Sequence, residues 1–122
     1  MGICIMESLE DFAERFRADV EKKCDCPVYK KALESKFNLH KCKEYPSEVF
    51  AHISRQKTLR RFTISAWEKD AVTAGVAHLA CKRVPKGKFG KPSLHWYVKE
   101  SDAESYKKAV NALSKICQVR DD

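Results

Sequence analysis

The stretch KRVPKGKFGKPSLHWYVK, residues 82–99, joins a cationic loop to an aromatic strand. Its first ten residues carry five Lys or Arg and no acid, and Pro85, Gly87 and Gly90 interrupt them, which is typical of a loop. The following LHWYV, residues 94–98, predicts a strand because aromatic and β-branched side chains favour an extended chain. Lysines beside flat rings suit a polyanion that offers both phosphates and bases.

The excess positive charge of the chain is concentrated around this stretch. Residues 52–99 contain eleven Lys and Arg against two Asp and Glu, a local excess of +9, whereas residues 1–51 and 100–122 each sum to −1. Such a surface attracts nucleic acid, anionic lipid or an acidic protein through its summed field. A solvated basic face that serves only solubility is the simpler alternative, and the sequence leaves it open.

Length and composition indicate one compact domain spanning residues 1–122. The chain is 43% hydrophobic and 34% charged, which is ordinary for a globular protein. No apolar run reaches the ~18 to 20 residues that a membrane span needs. The opening MGICIM has no basic region before its apolar residues, so we expect no secretory signal. We therefore expect a cytoplasmic protein with no membrane partner.

The predicted fold class is α+β, with N-terminal helices, a small antiparallel sheet in the second half and a C-terminal amphipathic helix packed on it. Ser8 and Asp11 form a capping pattern for a helix from Leu9 to about Lys22. Two further helices are predicted over 27–37, begun by Pro27, and over 46–53, begun by Pro46. The closing helix, 102–117, follows a capping-box pattern of Ser101 and Glu104 and presents one apolar face.

The predicted sheet begins with the alternating residues 62–67 and closes with residues 94–98. Between them, residues 66–84 are ambiguous, because Ser65 and Glu68 favour a helix whereas Gly75 favours a hairpin. We favour the hairpin, with a second strand over 76–84 beside 62–67. Burial of Trp96 is favoured over exposure, which leaves His95, Tyr97 and Phe89 as the stacking surface.

The six cysteines are expected to be free thiols, because nothing indicates export. Cys81 and Cys117 occupy core-like positions. Two close pairs contain the ligand types that zinc prefers: a C-x-C pair, Cys24 and Cys26, and an H-x-C pair, His40 and Cys42. One intervening residue in an extended chain does not make the turn that joins two ligands to one metal, so we expect no metal and no cofactor. The zinc alternative stays open.

Catalytic alternatives are weaker than structural roles for the same residues. One alternative is a metal-free ribonuclease that uses His78 and His95, with Tyr97 near His95 on the same strand face. Glu68 and Asp70 alone rarely build the metal site of a nuclease. A helix-turn-helix over 46–62 is another alternative. We assign no catalytic residue, and the chain is more in keeping with a binding protein than with an enzyme.

The leading hypothesis is a small domain that binds DNA or RNA, mainly through the phosphate backbone. Two alternatives remain: a protein-interaction or inhibitor module whose basic face docks an acidic partner, and a small nuclease. The residues predicted to contact nucleic acid are Arg55, Lys57, Arg60, Arg61, Lys82, Arg83, Lys86, Lys88, Lys91, His95 and Tyr97.

Overall fold

The computed structural model describes residues 7–41, 49–56, 58–86, 90–99 and 102–119. Six strands form one antiparallel sheet in the order β1-β2-β3-β4-β6-β5. No helix in these ranges is both long and apolar enough to cross a bilayer. The elements are α1 (Leu9–Cys24), β1 (Tyr29–Ala32), β2 (Lys36–His40), β3 (Val49–Gln56), β4 (Arg61–Trp67), α2 (Glu68–Ala74), a 3-10 turn (Ala77–Leu79), β5 (Lys82–Val84), β6 (Ser93–Lys99) and α3 (Ala103–Val119).

Helix α1 begins where the sequence predicts. The Ser8 Oγ accepts the Asp11 amide at 3.0 Å, which satisfies one of the unpaired donors of the first turn. Phe12, Phe16 and Val20 recur at helical spacing and are fully buried. The Phe12 ring stacks on Phe62 of β4 with the ring centroids 3.9 Å apart, so α1 packs on the sheet.

Helix α3 packs beside α1 and against β6, which confirms the predicted α+β class with a C-terminal helix on the sheet. Asp102 Oδ1 accepts the Ser105 amide at 3.2 Å and so caps the first turn. The predicted cap, Ser101, lies outside the described residues. The apolar face of α3 buries Val110, Leu113 and Ile116. Trp96 is 1% exposed, so its predicted burial is confirmed.

The helices predicted over 27–37 and 46–53 are wrong: β1, β2 and β3 occupy the described parts of these segments. The bond from Leu33 N to Lys36 O, 2.8 Å long, closes the turn between β1 and β2. Phe37 and Leu39 alternate toward the core as a strand requires, and pairing with β2 and β4 decides the conformation of β3. Two strands in place of two helices also exclude a helix-turn-helix over 46–62.

The segment 66–84 is mainly helical, so the favoured hairpin is wrong. Helix α2 ends at Gly75, whose φ of 75° is a conformation that glycine adopts at little cost. The strand predicted over 76–84 shrinks to β5, and β5 pairs with β6 rather than with β4. The free side of β4 is taken by β6, which pairs with β4 along its whole length.

Candidate nucleic-acid interface

The candidate site is the side of the sheet opposite α1 and α3, here called the open face. Side chains alternate along a strand, and residues in register across strands share a face. The row Phe37, Ile53, Ile64 and Trp96 therefore marks the helix side. The rows of the open face are Asn38–His52–Ser65–His95–Lys82, Lys36–Ser54–Thr63–Tyr97 and Gln56–Arg61–Lys99.

The open face is cationic because none of the six described strands contains an Asp or Glu. By its register with β2, Lys31 also lies on the open face, together with Lys36, Lys82 and Lys99. The carboxylates of the described chain lie on the helices and in the turns between elements. The strand residues of the open face therefore carry charge of one sign, which attracts a polyanion, and Asp102 and Glu104 at the start of α3 line a hollow with Arg61 and Tyr97 at the edge of this face.

Arg61 and Tyr97 are in direct contact on the open face. The Arg61 guanidinium carbon lies 3.5 Å from the centroid of the Tyr97 ring, a cation–π contact. Arg61 Nε also donates to Gln56 Oε1 at 2.6 Å, and the same oxygen accepts from Thr63 Oγ1 at 2.9 Å. These bonds hold a cationic group and a flat ring together at the surface.

His95 continues the aromatic surface toward a hollow of about 280 Å³. Its ring lies edge-on to that of Tyr97, with the centroids 6.3 Å apart. Across the hollow, His52 Nδ1 is hydrogen-bonded to Asn38 Oδ1. Partial burial lowers the pKa of His95, and the charges of Lys82 and Arg61 lower it further. Imidazole and hydroxyl groups in this hollow can donate to, and accept from, the edges of bases.

The predicted contacts divide between the two sides of the sheet. Arg61, Lys82, His95 and Tyr97 lie on the open face. Arg55 and Arg83 lie on the helix side, in register with Phe62 and Leu94. Arg55 Nε is buried, with no hydrogen-bond partner among the described residues. Arg83 is exposed and makes an ion pair with Glu68, with Nε and Oε2 2.5 Å apart.

The other predicted contacts lie in loops. Arg60 is exposed, with a φ of 50°, in the turn before β4. Lys86 and Lys91 are exposed between β5 and β6, and Lys91 lines a groove beside the first turn of α2. Lys57, Lys88 and the proposed stacking residue Phe89 lie outside the described residues. The structure therefore brings together four of the predicted residues on the open face.

Besides Lys31, sequence reasoning missed three groups that the structure adds to the open face. These are Lys36, which lines the hollow, His52 on its other side, and Lys99 beside Arg61. The available signal was the alternation in KFNLH and in the strand that follows, which the predicted helices obscured. His78 is exposed on the 3-10 turn, away from these rows, so the residue that shares a row with His95 is His52.

Comparisons of the chain with protein-family models, with curated proteins and with solved structures each return no match.

Proposed function

We propose that the open face binds single-stranded nucleic acid. The observation that carries the proposal is the acid-free sheet surface on which Arg61 and Tyr97 stack beside His95. Sheets that bind single strands use exposed aromatic side chains as platforms for bases and basic side chains for the backbone. The open face supplies both kinds of group on neighbouring strands.

The lysines of the open face support contacts with phosphates at both ends of the platform. Lys36 lies on β2, Lys82 on β5 and Lys99 at the end of β6. Strands are ~4.8 Å apart, so the four steps from β2 to β5 separate the outer lysines by about 19 Å. A strand of several nucleotides can cross this span while its bases face the rings.

A single strand fits this surface better than a duplex does. The major groove of B-DNA admits a helix or a two-stranded ribbon, whereas the open face is part of a six-stranded sheet. Unpaired bases can stack on Tyr97 and reach the polar hollow beside His95. Stacking contributes roughly 1–3 kcal/mol per base and tolerates different sequences, so we propose weak sequence preference.

The test is fluorescence anisotropy of labelled single-stranded and duplex DNA and RNA at several salt concentrations. Each phosphate contact with a single strand contributes a slope of about −0.7 to log K against log salt. Changing Lys36, Lys82 and Lys99 together to Ala should therefore reduce the slope by about 2. The control changes Lys22 and Lys23 of α1 and Lys115 of α3 to Ala, three exposed lysines of the helix side, which alters the net charge equally and should leave the slope unchanged.

Two results would contradict the proposal. Failure to bind any single strand at low salt would remove nucleic acid as the ligand, and capture of one acidic protein in defined stoichiometry would favour the interaction module instead. An equal loss of slope in both triple variants would show non-specific attraction to the whole molecule rather than contact at the open face.

A further inference from the structure

Three thiols converge where the end of α1 meets α3. The sulfur atoms of Cys24 and Cys26 are 2.9 Å apart, and each lies 3.5 Å from the sulfur of Cys117. Among the residues that the structure describes, this is the one set of three or more potential metal-ligand atoms that all lie within 4.8 Å of one another.

A local turn brings the first two sulfurs together. Cys24 ends α1, and Asp25 adopts a left-handed conformation with a φ of 56° while its amide donates to Glu21 O at 3.0 Å. This turn directs Cys26 back toward the helix end, which an extended C-x-C segment would not do. With this turn the C-x-C pair can place two ligands on one metal, so its spacing no longer disfavours a metal site.

The third ligand differs from the one that the sequence pattern suggested. The third sulfur comes from Cys117 on the buried face of α3 rather than from the H-x-C pair. His40 is not part of the set, and its ring stacks on Tyr29 with the centroids 5.6 Å apart. Cys42 lies outside the described residues. Cys81 is exposed, so the core position predicted for it is wrong.

The surroundings of the three thiols fit a cation-binding site. Cys117 is fully buried, Cys24 nearly so, and Cys26 is half-buried, which leaves a route from solvent. Lys41 Nζ donates to Cys117 O at 2.5 Å, and its positive charge favours the thiolate form of the sulfurs, which is the form that binds a metal. Burial raises the pKa of the Cys117 and Cys26 thiols, and the neighbouring Cys24 thiol raises both further.

We propose that Cys24, Cys26 and Cys117 bind one Zn²⁺ ion through their three sulfurs. Zinc–sulfur bonds are about 2.3 Å long, so a tetrahedral ion sets its sulfurs about 3.8 Å apart, and the sulfurs here would move apart by about 0.3 to 0.9 Å when the ion binds. The fourth position is left for water or another donor. Binding replaces the thiol protons, which are released to solvent, and no electron is transferred.

Such a site would hold the end of α1 against α3. Both cysteines of the C-x-C pair belong to the end of one helix, while Cys117 lies 91 residues further along the chain than Cys26. Because an unfolded chain does not hold these ligands together, the binding free energy of the metal adds to the stability of the folded state.

The test measures metal binding by the full chain, purified with a reductant. The metal is removed with a chelator, and Zn²⁺ and then Co²⁺ are titrated. We expect one metal per chain, a thiolate-to-cobalt charge-transfer band, and three of the six thiols protected from a thiol reagent by zinc. Cys26→Ser should weaken zinc binding more than about tenfold, the loss that follows removal of even an outer-shell partner.

Cys81→Ser is the matched control, because this cysteine is exposed outside the cluster, and it should bind metal as the wild type does. Cys26 is preferred to the fully buried Cys117 for substitution because its loss disturbs the core less. The wild-type cobalt spectrum tests the proposal even if a variant does not fold. The absence of thiolate bands, an equal loss in Cys81→Ser, or a disulfide within the cluster in the reduced preparation would overturn it.

Discussion

The guanidinium carbon of Arg61 lies 3.5 Å from the centre of the Tyr97 ring, and this contact covers one face of the only tyrosine in β4, β5 and β6. Arg61 is itself held by Gln56, so the ring is held in a defined position before any ligand arrives. A base that stacks on Tyr97 therefore meets an ordered platform and loses less entropy on binding.

Changing Tyr97 to Ala should weaken single-strand binding about 5- to 150-fold, the equivalent of one stacked base at roughly 1–3 kcal/mol. Changing Tyr97 to Phe keeps the ring and should have little effect. Both affinities are measured by anisotropy at one salt concentration. If the Phe variant were as weak as the Ala variant, the hydroxyl rather than the ring would be the group that matters.

Lys82 and Arg83 provide a matched pair for testing which side of the sheet binds. Both are exposed cations on β5, but Lys82 is in register with His95 on the open face, whereas Arg83 lies on the helix side and pairs with Glu68. Lys82→Ala should reduce affinity and lower the salt slope by about 0.7. Arg83→Ala should change neither. The opposite order would place the interface on the helix side.

The lowered pKa of His95 predicts a pH effect on stability. Burial, Lys82 and Arg61 hold it below the ordinary value of 6.5, so the unfolded state takes up the proton first as the pH falls. The free energy of unfolding should therefore decline as the pH falls from 6.5 through the lowered pKa. His95→Gln should reduce this decline in urea titrations at several pH values, and His78→Gln, at an exposed position, is the control. An unchanged decline in His95→Gln would remove His95 as its source.

Phe12 should be one of the most sensitive positions for stability. It is fully buried, and its ring stacks on Phe62 with the centroids 3.9 Å apart, joining α1 to the sheet. Phe12→Ala should lower the free energy of unfolding by about 3–5 kcal/mol, because it loses apolar contact and leaves a cavity. Phe12→Leu should cost clearly less. Urea unfolding followed by circular dichroism measures both, and equal losses would contradict the packing argument.

The helices were predictable because their signals are local. Ser8 caps α1 three residues before its partner amide, and the apolar stripes of α1 and α3 repeat every three to four residues. The first three strands were mistaken for helices because short apolar runs fit either the helical or the strand period. Pairing with neighbouring strands then overrides local preference.

The positive charge of the candidate site was predictable from the sequence, but the side of the sheet on which each residue lies was not. The excess of +9 in residues 52–99 indicated a basic surface. Only the strand register shows that Lys82 and Arg83 lie on opposite sides of the sheet. The thiol cluster was hidden for two reasons: Cys117 is 91 residues from Cys26, and the turn at Asp25 is a conformation that the C-x-C spacing does not reveal. Both features depend on tertiary contacts.

The strand order has a further consequence for association between copies of this chain. The two outer strands, β1 and β5, are only four and three residues long, and each carries two adjacent cations. Short, like-charged edges disfavour the addition of a strand from a second molecule, because the backbone pairing gained is small and the charges repel. The margins of the sheet thus protect against edge-to-edge aggregation, and its open face stays available to a ligand.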